Sequence, residues 1–144
     1  MDTKVYACRR NGFGVSFYLC EEKSRLLVPH TGGENGAERH VPFVLVRDNV
    51  VEVNVGVVDH PMSSAHYIAW IYLETDRNGQ SITLEPYEEP RVVFCLGNEM
   101  PRAVYAYCTS HGLWMTHVNT ANFVSGELTI TEGGLPGTDL PPGR

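Results

Sequence analysis

Along this chain apolar and polar residues alternate in short runs closed off by Gly, Pro, Asn and Asp, and the spacing of an amphipathic helix is almost absent. The pattern predicts strands at Val15–Leu19, Arg25–Val28, Phe43–Arg47, Val50–Val57, His66–Glu74, Ser81–Leu84, Arg91–Leu96, Ala103–Cys108, Trp114–Val118 and Gly126–Thr131. Asp48-Asn49 and Asp76-Arg77-Asn78-Gly79 read as tight turns, since Asp, Asn and Gly accept the left-handed backbone that hairpins need. From His66 to Leu73 apolar residues fall on both faces, as in a central strand, and Trp70 is expected in the core. The fold class that follows is all-β: an immunoglobulin-like antiparallel β-sandwich with a short amino-terminal β extension. Residues 1–37 are expected to hold that extension and a flexible Gly-rich linker (30–37), residues 38–131 the sandwich, and the Pro- and Gly-rich residues 132–144 a mobile tail.

Composition narrows the function. With 144 residues, 42% hydrophobic and 19% charged, the chain can bury one core, and no apolar run is long enough for a membrane span. A net charge of -6 argues against nucleic acid, which demands clustered cations. It also means that an anionic substrate would need a local cationic patch to gather it. The amino terminus has no basic, apolar secretory start, so a cytoplasmic location is expected. In that reducing compartment Cys8, Cys20, Cys95 and Cys108 are candidates for thiol or ligand roles before disulfides.

Three segments carry the candidate chemistry: Glu38-Arg39-His40-Val41-Pro42, His60-Pro61-Met62-Ser63-Ser64-Ala65-His66 and Cys108-Thr109-Ser110-His111-Gly112. Taken singly, each reads as a turn with a surface histidine or as a common Cys-x-x-His spacing. Each also sits at a strand boundary, where a rigid sheet can bring loops to a common point. Four imidazoles and one thiolate fit zinc poorly, because zinc prefers four ligands or three and a water. A nitrogen-rich set with one soft sulfur suits a redox-active first-row metal with an open position, and iron is the natural choice. An axial thiolate would push electron density onto that metal.

These segments resemble the signature of the superoxide reductases of the neelaredoxin and desulfoferrodoxin group. His60-Pro61-Met62 followed by His66-Tyr67-Ile68-x-Trp70-Ile71, Cys108-x-x-His111-Gly112-Leu113-Trp114, and Glu38-Arg39-His40-Val41-Pro42 carry the likeness, over roughly residues 38–117. The resemblance implies a mononuclear iron with His40, His60, His66 and His111 equatorial and Cys108 axial. It implies one-electron reduction of superoxide to hydrogen peroxide, an external electron donor such as rubredoxin, and a homo-oligomer. Glu38 matches the family's carboxylate that can occupy the open position, and Arg39 stands where the family usually has a Lys beside it. A second, tetrathiolate iron of the desulfoferrodoxin branch cannot be built from Cys8 and Cys20 alone, so a one-iron form is expected. Cys95 reads as a small buried hydrophobe, and His30 and His117 fall outside the signature. The rival reading is a non-catalytic metal-binding sandwich, either a zinc-stabilised interaction module or a redox sensor.

Overall fold

The structure, a computed structural model, describes residues 5–9, 15–16 and 25–124. The expected strand Gly126–Thr131, the tail and most of Val15–Leu19 lie outside the described residues. Ten strands are described: β1 Val5–Arg9, β2 Val15–Ser16, β3 Arg25–Leu27, β4 Pro42–Arg47, β5 Val50–Val55, β6 Ile68–Thr75, β7 Gly79–Thr83, β8 Arg91–Cys95, β9 Pro101–Cys108 and β10 Gly112–His117. A four-residue helix, α1 (Ala37–His40), precedes β4, and a 3-10 turn at Thr120–Asn122 follows β10.

The strands form a sandwich of a four-stranded sheet, β10-β9-β6-β7, and a three-stranded sheet, β4-β5-β8, with the small sheet β2-β1-β3 beside them. Every pairing is antiparallel. The chain crosses between the two large sheets after β5, after β7 and after β8, as in an immunoglobulin-like topology. Asp48 takes a left-handed φ of 49° in the β4–β5 turn, as its sequence anticipates. Between the sheets Val44, Val46, Val51, Val53, Val55 and Phe94 meet Ile68, Ile71, Leu73 and Val104. Burial of these apolar side chains is the main force holding the sheets together.

A register shift between Ile68 and Trp70 interrupts the strict alternation of β6. Ile68 and Ile71 therefore both point into the sandwich, while Trp70 joins a second cluster with Leu27, Tyr105, Leu113 and Met115. One expectation is corrected. Cys95 is exposed, because Val92 and Phe94 take the inward positions of β8 and alternation turns Cys95 outward.

Antiparallel pairing fixes where the candidate residues meet. Pro42 at the start of β4 pairs with Val55 at the end of β5, Ile68 at the start of β6 with Cys108 at the end of β9, and Gly112 at the start of β10 with Cys108. All three motif segments therefore flank one end of the sandwich. Residues 30–40 run to that end along β10: His30 N–H donates to Leu113 O (2.8 Å), and Met115 N–H donates to His30 O (3.0 Å).

Candidate metal centre

His40 closes α1, and its Nδ1–H donates to the Gly36 carbonyl at 2.8 Å. A carbonyl can only accept, so the lone pair of His40 lies on Nε2, facing the other histidines. His60 repeats the arrangement: Nδ1–H donates to Pro61 O at 2.6 Å, and Nε2 is buried without a hydrogen-bond partner. His66 is placed by a tight turn in which Ser63 and His66 exchange backbone hydrogen bonds of 3.0 and 3.2 Å. Cys108 ends β9 inside the hydrophobic core, and His111 stands exposed at the tip of the hairpin to β10. Gly112, at φ 80°, allows the chain to turn directly after it.

The four rings form a square. Neighbouring centroids are 4.7 Å apart for His40–His60 and His60–His66, and 4.9 Å for His66–His111 and His111–His40, all four pairs edge to face. His40 and His66, opposite each other, are near-parallel at 6.2 Å. His40 Nε2 approaches His111 Nδ1 to 3.1 Å, and Cys108 Sγ lies 3.2 Å from His66 Nε2 and 3.7 Å from His111 Nδ1. The donor atoms of His40, His66, Cys108 and His111 all fall within 4.8 Å of one another. With metal–nitrogen bonds of about 2.1 Å, nitrogens at a right angle stand about 3.0 Å apart and opposite ones about 4.2 Å. The cluster thus has the dimensions of a chelate. His60 does not belong to the tightest group, but its ring completes the square and its buried Nε2 has no hydrogen-bond partner among the described residues. A buried acceptor without a partner is costly, and a bound cation removes the cost. The residues fit iron.

Desolvation lowers the pKa of His40, of His66 and, to about 4, of His60, so these rings offer neutral lone pairs at physiological pH. Burial pushes the Cys108 thiol up, with the backbone N–H groups of Ser110 and His111 pulling the other way. Metal-free Cys108 is therefore a thiol near neutrality, and ligation must expel its proton. Iron affinity should rise about tenfold for each pH unit between pH 7 and 8, because one proton leaves per metal bound. Chelator competition in buffers across that range reads the slope, and a flat profile would remove the sulfur from the donor set.

Glu38 and Arg39 are exposed on α1, directly before His40, and the Glu38 carboxylate acts electrostatically on the His40 ring. His117 is exposed on β10. Two positioning features escaped the sequence reading. Gly56, at φ 86°, packs its α-carbon against the α1 backbone, so that a Cβ there would stand 2.7 Å from Arg39 O and 2.2 Å from Val58 O. Around it Gly56 N–H donates to Val41 O (3.1 Å), Val58 N–H to Glu38 O (3.0 Å) and His60 N–H to Val55 O (3.1 Å), locking the His40 and His60 segments together. The second feature is Trp114, stacked on His40 at 4.6 Å, with Nε1–H donating to His111 O at 3.1 Å.

A sequence model of the desulfoferrodoxin family matches residues 32–117, more than half of the chain. This chain belongs to the desulfoferrodoxin family. A desulfoferrodoxin of Clostridium acetobutylicum is 38% identical over 124 residues, covering 81% of this chain and 98% of that one. The crystal structure of the superoxide reductase from Treponema pallidum superposes with a TM-score of 0.64 at 30% identity, over 79% of this chain and 98% of that one. A superoxide reductase (1Fe-SOR) from Giardia intestinalis gives a TM-score of 0.51 at 26% identity, over 57% of this chain and 98% of that one. Like these relatives, this desulfoferrodoxin-family chain is built almost wholly of β-strands, and its His/Cys cluster is one that can hold the iron the family uses. Among the described residues no helix is long and apolar enough to cross a membrane.

Proposed function

We propose that this chain is a cytoplasmic superoxide reductase that works with one mononuclear iron. The observation that carries the reading is the square of four imidazoles with the Cys108 sulfur beside it. His40, His60, His66, His111 and Cys108 would hold the iron, which when bound supplies the one-electron change that turns superoxide into hydrogen peroxide. Two protons and one electron are consumed for each superoxide. The electron comes from an external donor such as rubredoxin.

The chain's own contributions follow from placement. Cys108 would hold the iron as a thiolate and supply it with electron density, and its burial in the core limits access of water and oxidants to the sulfur. His111 and the partly exposed His66 leave the site open on the solvent side, so a diatomic anion can enter. Glu38, exposed on α1 two residues before His40, is the carboxylate that would offer the iron a further oxygen ligand. Arg39, in a chain of net charge -6, is the cation beside His40 that can draw in an anion. Unlike the point charge of a Lys ammonium, its guanidinium is a planar fork of N–H donors, suited to attract and orient an anion.

The test is direct. Iron-loaded protein should be coloured by sulfur-to-iron charge transfer and, with a reductant present, should yield one hydrogen peroxide per superoxide consumed, without oxygen release. A colourless, fully metallated sample under oxidising conditions would overturn this reading and favour the non-catalytic metal-binding module. Arg39→Ala should slow the bimolecular step with superoxide roughly threefold or more at low ionic strength and flatten its salt dependence, because steering is screened by salt. Pulse radiolysis across a salt series measures both, and matching rates and slopes would remove Arg39 from the mechanism.

A further inference from the structure

His30 lies outside the family signature, yet its ring is in contact with the side chain that serves two of the metal donors. The imidazole lies on the Trp114 indole with centroids 4.7 Å apart and planes tilted by 35°. The same indole stacks on His40 at 4.6 Å and 22°, and its Nε1–H holds the His111 carbonyl. Trp114 is 4% exposed, so the contacts on it leave little freedom. On its outer side His30 Nδ1–H donates to Glu34 Oε1 at 2.6 Å, while Glu34 Oε2 accepts from Thr31 N–H at 2.7 Å. The His30 main chain is fixed as well, bridged to Leu113 and Met115 on either side of Trp114.

The energetics of an exposed His–Glu pair are small, and alone it would carry no role. What gives it one is the order of contacts, Glu34 to His30 to Trp114 to His40. The ring of a metal-bound histidine can still rotate about its metal–nitrogen bond, and partners outside the donor set fix that angle. For His40 those partners are the Gly36 carbonyl at Nδ1 and the Trp114 face.

We propose that His30 is a positioning residue of the metal centre: held by Glu34, it presses on Trp114 and through it fixes the ring plane of His40 and the main chain of His111. This rests on the reading that the four histidines and Cys108 hold iron. It assigns a role to a histidine that the motif alone treats as dispensable for iron retention.

The experiment compares wild type, His30→Leu, His30→Phe, Glu34→Gln and His117→Ala as iron-loaded full-length protein. Iron release to a chelator, the iron reduction potential and the ferric paramagnetic resonance spectrum are measured, with the melting temperature of each metal-free protein. His30→Leu should weaken iron retention about tenfold and broaden the ferric spectrum into more than one species, with the metal-free melting temperature unchanged. His30→Phe, which keeps a ring on Trp114, should restore both, Glu34→Gln should fall between, and His117→Ala should match wild type. Wild-type retention and spectrum in His30→Leu would overturn the proposal, as would His30→Phe behaving like His30→Leu. Wild-type protein that takes up iron without a thiolate charge-transfer band would overturn the metal reading beneath it.

Discussion

Cys108→Ser should leave the sandwich folded but strip the protein of its visible colour and of most of its peroxide production, by a factor of ten or more. The fold survives because the inward valines, Ile71, Leu73 and Phe94 supply the core, and Ser is close to Cys in size. A hydroxyl in place of the buried thiol costs about 1–3 kcal/mol if it finds no acceptor, and His66 Nε2, 3.2 Å from the sulfur, can be one. The chemistry does not survive, since a neutral hydroxyl neither gives charge transfer nor enriches the metal in electron density. Circular dichroism, the visible spectrum and peroxide yield are read on the same sample. Full activity in a colourless variant would refute the sulfur's role.

Gly56→Ala should be nearly as damaging, although Gly56 touches no metal. A side chain at φ 86° costs about 1–2 kcal/mol, and a Cβ 2.2 Å from Val58 O and 2.7 Å from Arg39 O meets rigid backbone on both sides. The combined cost of about 2–4 kcal/mol corresponds to a fall of roughly 10 °C or more in melting temperature. Relief comes only by separating α1 from the β5–β6 turn, which pulls His40 away from His60. Iron content should therefore drop with stability. A variant with wild-type melting and wild-type iron would show that the close approach is dispensable.

Much of this was legible in the residues. Period-two alternation marked β4, β5 and β8 to within a few positions, because each has one face against the core. The five candidate donors sit at strand ends, and pairing brings those ends together. Other features were hidden for identifiable reasons. α1 has four residues, too few to show a helical period. The extra residue in β6 that sends Ile68 and Trp70 to opposite sides leaves no mark in a run apolar throughout. Cys95 followed the same alternation as Val93, but the apolar character of its neighbours disguised its outward position. Gly56 reads as an ordinary turn glycine until its neighbour across the fold, Arg39, is known. The contact of His30 with Trp114 joins positions far apart in sequence, and no local pattern announces it.

The donors are divided between the two layers of the sandwich. His40 enters and His60 leaves the three-stranded sheet, whereas His66, Cys108 and His111 belong to the four-stranded one. Whatever ion joins them therefore clips two independently hydrogen-bonded sheets at one edge, much as a rivet closes the open side of a hinge. Without the rivet, opening that edge exposes only loops and strand ends, and the valine-lined interior stays shut. Loading and loss of metal can then proceed by a local fluctuation in place of global unfolding, so that amides near the β5–β6 and β9–β10 turns would exchange with solvent far sooner than those of β5 or β9.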